Sequence, residues 1–201
     1  VTTSNIGILS LQPINVSDSI FRNIYLQNRT DTGTGMCVYI ERDNHNLSFE
    51  NLRLTGGSRN CMQLYNGYDS NPSDHIYFQN TYMNRNGGAK YCVTIDSDFS
   101  DVSFTNTTLV GSPPGVGDAC IRWYGGTRVV FDGFAASGGA ALHEVGPAID
   151  CAVRNGTYDG STIGTVAGVT VSNVSLGGTK TTTTVAVRSL PVQEEHPVEP
   201  R

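Results

Sequence analysis

Two carboxylates frame the chemical question. Glu41 and Asp96 each stand four residues after a cysteine, Cys37 and Cys92, and Tyr65 and Tyr124 stand four residues after Cys61 and Cys120. If each cysteine marks the same point on successive strands of a stack, the two carboxylates lie two strands apart, about 9.6 Å. That is close to the upper end of the separation at which an inverting glycosidase fits a water between acid and base. The tyrosines would offer flat faces to the C–H face of a sugar ring. Glu41 and Asp96 are therefore the candidate catalytic pair, and Tyr65, Tyr68, Asp98 and Tyr124 the candidate carbohydrate-binding residues. Exposed acids also keep a β-stack soluble and block edge pairing. Asp43 and Asp98 form a second acidic pair of similar spacing.

Other chemistries find less support. A β-elimination lyase needs a base beside a cation-binding acidic cluster. Arg42, Arg122 and Arg154 could serve as bases and Asp96, Asp98 and Asp101 as ligands, but no spacing singles them out. No CxxC or HxxxH pair suggests zinc, and no motif implies a metal or cofactor. His45, His75, His143 and His196 share neither a column nor a ligand spacing and read as surface or loop residues. Trp123 falls in a column with Ile40, Leu64 and Ile95, which makes it a core residue. Six N-x-S/T sequons (Asn15, Asn28, Asn46, Asn106, Asn155, Asn173) follow from an Asn- and Thr-rich composition.

The elements that must carry these residues come from a repeat. The phrase apolar-x-Phe-x-Asn-x-x-apolar recurs around Phe21, Phe49, Phe78, Phe104 and Phe131, with Val171 in the sixth place. Asn23, Asn51, Asn80, Asn106 and Asn173 form a parallel column, interrupted by Gly133. All five cysteines (Cys37, Cys61, Cys92, Cys120, Cys151) are read as a third column. Alternation such as Leu47-Ser48-Phe49 predicts a strand before the Asn, and Leu52-Arg53-Leu54 another after it. A third strand follows each cysteine, as in Val38-Tyr39-Ile40 and Val93-Thr94-Ile95. Each Asn then occupies a corner, where its amide can bond the turn and the Asn above and below. The expected fold is a right-handed parallel β-helix of about six coils, since parallel crossovers take that hand. Residues 1–178 form the helix and 179–201 a polar, proline-rich tail expected to dock on a neighbouring chain.

Stacked cysteines about 4.8 Å apart with parallel Cβ directions are poorly placed for disulfides. They read as reduced apolar spacers, which points to assembly in a cytoplasm. Thirteen Lys and Arg against 18 Asp and Glu give a net charge of −5, which argues against nucleic acid or an anionic membrane surface. No apolar run approaches the ~20 residues of a membrane span. The chain opens at Val1 inside a strand-like segment, so a piece of a longer protein with an upstream module is expected. Departures from the repeat fall at Tyr65–Asp74, Gly111–Gly117, Ser137–Gly146 and Asn155–Gly160. These are read as grown corners, where a solenoid carries function.

The stacked Phe and Asn columns resemble the right-handed parallel β-helix superfamily, which includes pectate lyase-like enzymes, polygalacturonases and bacteriophage tailspikes. The resemblance covers roughly residues 5–178. It implies a tailspike or tail-fibre β-helix, structural and receptor-binding, with cell-surface polysaccharide as ligand. A homotrimer within a virion tail, assembled in the host cytoplasm, is the implied setting. The alternative is a secreted polysaccharide lyase or glycoside hydrolase, although the aspartate motifs of polygalacturonases are absent.

Overall fold

The computed structural model describes residues 2–5, 9–28, 35–56, 59–65, 71–85, 90–111, 119–138 and 140–177. The expected tail, 179–201, lies outside them. The described strands are β1 (Thr2–Asn5), β2 (Leu9–Leu11), β3 (Ser17–Asn28), β4 (Met36–Ile40), β5 (His45–Gly56), β6 (Asn60–Leu64), β7 (Ser73–Gln79) and β8 (Tyr82–Asn84). They continue with β9 (Tyr91–Ile95), β10 (Phe99–Val110), β11 (Ala119–Trp123), β12 (Val130–Ser137), β13 (Ala140–Glu144), β14 (Cys151–Tyr158) and β15 (Val169–Leu176).

Every pairing is parallel, and the strands sort into two sheets. The larger runs β1-β3-β5-β7-β10-β12-β14-β15, with β8 completing the β7 rung; the smaller runs β2-β4-β6-β9-β11-β13. The chain thus forms an all-β parallel solenoid in which rungs of the two sheets alternate along the chain as far as β14, and β15 follows β14 in the larger sheet without a smaller-sheet strand between them.

The larger sheet bends where its asparagines lie. Asn23, Asn51, Asn80, Asn106, Asn155 and Asn173 all have φ between 51° and 56°, and Gly133 in the same column has φ 69°. Asn tolerates this left-handed conformation better than most residues, and Gly carries no Cβ penalty. The Asn51 amide donates to Asn23 Oδ1 at 3.0 Å, Asn80 to Asn51 at 3.2 Å and Asn106 to Asn80 at 3.4 Å. Inside the bend, Phe21, Phe49, Phe78, Phe104 and Phe131 stack with centroids 4.2–4.9 Å apart. The phenylalanines from Phe49 to Phe131 are almost fully buried, each burial worth about 1.5–3 kcal/mol.

Two expectations are corrected at the C-terminal end. Phe131 pairs with Val153, which pairs with Val171, so the interval read as one long coil is two short ones. Coil length falls from 28 residues at Asn23–Asn51 to 22 at Asp132–Arg154 and 18 at Asn155–Asn173. Asn155–Gly160 is therefore not an insertion. It overlaps β14, and Asn155 belongs to the asparagine ladder, donating to Asp132 Oδ1 at 2.8 Å. Likewise Ser137–Gly146 is no long corner, because it contains β13.

The second correction concerns Cys151, which lies in the larger sheet and starts β14 opposite Val169. The thiol column runs Cys37, Cys61, Cys92 and Cys120, and the register Ala119↔Ala140 puts Ala141 in the fifth place. All five thiols are free and buried. Cys37, Cys92 and Cys120 donate to main-chain carbonyls, for example Cys37 Sγ to Thr55 O at 3.5 Å. Burial pushes the Cys92 thiol well above its ordinary pKa.

A second left-handed column escapes the repeat phrase: Asp18, Asn46, His75, Asp101, Arg128 and Asp150, with φ between 50° and 55°. It marks the corner that leads into the larger sheet.

Candidate functional site

Ladder bonds carry the chain past the end of the smaller sheet. Tyr65 N donates to Ile40 O, Asp96 N to Leu64 O, and Tyr124 N to Ile95 O. Glu41, Tyr65, Asp96 and Tyr124 therefore occupy successive rungs of one column. Its fifth place is taken by Val145, whose N–H bonds Trp123 O, rather than by Asn155.

Beneath this column lies the outer face of the smaller sheet. Tyr39, Gln63, Thr94, Arg122 and His143 are in register along it, and Asn60, Tyr91 and Ala119 form the row nearer the strands' start. A hollow of about 400 Å³ opens here, lined by Met36, Tyr39, Arg59, Gln63, Tyr65, Asp96 and Tyr124. Of the predicted residues it gathers Tyr65, Asp96 and Tyr124. Glu41 adjoins it without lining it, and Asp98 is exposed on the turn beyond Asp96. Tyr68 lies outside the described residues.

Aromatic contacts organise the face. The Tyr39 and Tyr65 rings stack at 6.2 Å, and the Arg122 guanidinium is sandwiched between Tyr91 at 4.6 Å and Tyr124 at 4.4 Å. Tyr91 also meets His143 edge-on at 6.0 Å. The sandwich was not foreseen. Tyr91 directly precedes Cys92, and the position one before each cysteine would have been the signal.

The carboxylates are held in different ways. Glu41 Oε2 accepts from the Gln12 amide at 2.6 Å, whereas Asp96 Oδ1 accepts from Ser97 N at 2.6 Å and from Ser97 Oγ at 3.1 Å. Burial, then the charge of Glu41, pushes the Tyr39 hydroxyl up to about 12, with Tyr65 and Asp96 adding and Arg59 opposing. Tyr39 therefore remains a proton donor throughout the physiological range.

The remaining candidates serve structure. Arg154, a candidate base, lies in the larger sheet and bonds Asp132 at 2.9 Å. Asp101 is bound by Arg128 at 2.6 Å, and that bond holds its carboxyl below the usual range. Trp123 is fully buried and packs edge-on against Phe131. The histidines are less scattered than expected. Asp74 bridges His45 at 3.0 Å and His75 at 2.9 Å, and Asp43 holds the other His45 nitrogen at 3.2 Å. His196 lies outside the described residues. Among those described, no group of three or more His, Cys, Asp or Glu could hold a metal ion. No helix among them is long and apolar enough to cross a membrane.

A second hollow, about 520 Å³, lies on the larger sheet over Thr108, Ala135, Thr157 and Ser175. Its one carboxylate, Asp159, is engaged by Gly138 N at 3.1 Å. It offers little polar chemistry.

No protein-family model and no curated protein matches this chain. Among solved structures it is similar to the tailspike protein gp49 from Pseudomonas phage LKA1, at 10% identity and a TM-score of 0.44. The match covers 88% of this chain, which spans 43% of the tailspike chain.

Proposed function

We propose that this chain is a glycan-binding β-helix module of the tailspike kind, which engages cell-surface polysaccharide through the outer face of its smaller sheet. One observation carries the reading: the hollow combines three tyrosines with a guanidinium, an amide and a carboxylate. That is the mixture of flat apolar faces and directional polar groups a pyranose needs. Tyr65 and Tyr124 stack the rings, and Asp96 accepts from sugar hydroxyls. Assembly as a homotrimer in a virion tail belongs to the same proposal.

The test is an array of bacterial capsular and O-chain polysaccharides probed with the full chain, alongside its solution mass by light scattering. Binding that drops about tenfold in Tyr65→Ala and Tyr124→Ala, a loss of about 1.4 kcal/mol, supports the reading. An array without hits removes it. A monomeric mass removes the trimer.

A second reading rests on the Glu41–Tyr65–Asp96 column, whose carboxylates are separated by two rungs. On this reading one carboxyl protonates the leaving oxygen while the other activates water on the opposite face of the ring. A bound polysaccharide would then release reducing ends, and Glu41→Gln or Asp96→Asn would stop the release while leaving binding intact. Retention without release leaves a binding module only.

A further inference from the structure

The described arginines are held in different ways. On the larger sheet Arg22, Arg128 and Arg154 each have a carboxylate one rung away, Glu50 at 2.8 Å, Asp101 at 2.6 Å and Asp132 at 2.9 Å, while Arg53 lies over the Tyr82 ring at 4.6 Å and the Tyr25 ring at 5.9 Å. Along the smaller sheet the pattern fails. Arg59, which lines the hollow, and Arg122, clamped over one of its walls, have no carboxylate within ion-pair distance among the described residues. Lys90 sits on the rung after Arg59, its N–H bonding Arg59 O at 2.9 Å, and it too has no ion partner among the described residues. In a chain of net charge −5, these cations gather on one face without an ion-pair partner among the described residues.

Their setting sharpens the point. Tyr91 and Tyr124 cover both faces of the Arg122 guanidinium, so only its in-plane N–H edge can bind anything, and that edge fits the two oxygens of an oxyanion. Arg122 Nε is buried without an acceptor. The same holds for two other buried polar atoms on this face, Asn60 Oδ1 and Thr94 Oγ1, which lack partners. These three atoms are themselves shut off from solvent, so it is the remaining edge of the Arg122 guanidinium that is open to a ligand.

Among the described residues, charge is also distributed unevenly along the strands. Arg59 and Lys90 stand before the strands begin, and Glu41 and Asp96 follow their ends. About 20 Å separates the two rows, at roughly 3.3 Å per residue over six residues. A polymer charged on every residue would meet Asp96 and Glu41 at the second row and be repelled there.

We infer that the ligand of this hollow is a sparsely anionic glycan. One carboxylate, phosphate or sulfate group sits against Arg59 and Lys90, within reach of Arg122, and neutral pyranoses run on over Tyr65 and Tyr124 towards Asp96. This rests on the glycan-binding reading and adds to it the charge of the ligand and its direction.

The same polysaccharide array tests it. Hits should carry an anionic group on some residues and not all. Binding should weaken as salt rises, and the Arg59→Ala/Lys90→Ala double variant should lose about tenfold or more, the scale of a lost charge-assisted hydrogen bond. Arg22→Ala, on the larger sheet, should bind like the parent protein. Neutral hits indifferent to the double variant overturn this inference and leave the glycan reading standing. Hits confined to fully charged polymers, lost equally in Arg22→Ala, overturn it as non-specific attraction. An empty array overturns both readings.

Discussion

Phe104 and Phe131 lie face to face, their ring centroids 4.2 Å apart and their planes within 1° of parallel. Aromatic quadrupoles favour offset stacking or edge-on contacts. The rung spacing imposes the arrangement, so the stack contributes mainly through burial and packing. Phe104→Ala should therefore cost about 3–5 kcal/mol, with Phe104→Leu costing clearly less. Urea unfolding of the two variants measures the difference. Equal, small losses would mean that the column is not the core's main support.

The asparagine ladder makes a different prediction. Asn80 has φ 54° and is bonded to Asn51 below and Asn106 above. Asn80→Ala loses those bonds and must also enter the left-handed region, which costs about 1–2 kcal/mol. Asn80→Gly loses the same bonds without the strain. Glycine should be the milder substitution in thermal melts, as Gly133 already is in this column. The opposite order would show that the amide bonds outweigh backbone conformation.

His45 sets a pH dependence. Its two ring nitrogens face Asp74 and Asp43, and only the protonated ring can donate to both. The bond to Asp74 is the chief cause of its raised pKa; slight burial opposes it and the bond to Asp43 adds to it. Its stabilising effect is complete below its ordinary value of 6.5 and is lost as pH rises through the higher folded value. Burial would raise Asp74, but bonds from His75 and His45 outweigh it and leave its pKa lowered. That contribution is present above the ordinary carboxylate value of 3.8 and fades as pH falls through the lower folded value. The urea midpoint should fall between pH 6 and pH 8.5, and His45→Gln should flatten that slope. An NMR titration placing His45 at or below 6.5 would remove the effect.

The thiols should be chemically silent. All five are buried and none is in a disulfide, and Cys92 and Cys151 are held above their ordinary pKa chiefly by burial. Iodoacetamide at pH 8 should leave the folded protein unmodified and alkylate all five sites in urea. Fast native labelling at Cys61 or Cys92 would show that the thiol column opens.

The sequence carried the fold wherever one residue type solved one local problem. Phenylalanine fills the bend, asparagine makes the left-handed corner, and cysteine fits a tight inner position, so the first five coils were legible. The last coils were not, because Val153 replaces phenylalanine and the spacing contracts, which drew Cys151 into the wrong column. The second corner was hidden for a related reason: Asp18, His75 and Arg128 share a backbone conformation but no chemistry. Three of the proposed ligand residues, Tyr65, Asp96 and Tyr124, could be read from their offset to the cysteines. The Tyr91–Arg122–Tyr124 sandwich could not, since it depends on side chains from neighbouring rungs meeting above the sheet.

The shortening of the coils has a consequence for self-association. Twenty-eight residues of extended chain span roughly 90 Å and 18 span roughly 60 Å, so the loop traced by each coil contracts towards β15. A solenoid of constant girth presents matching ends, and one copy can template the next into an open fibre. Here a wide coil added beyond β15 would find backbone partners for only part of its circumference. Among the described coils the taper is thus a barrier to a wide coil stacking on a narrow one, achieved without placing a single charge on β15.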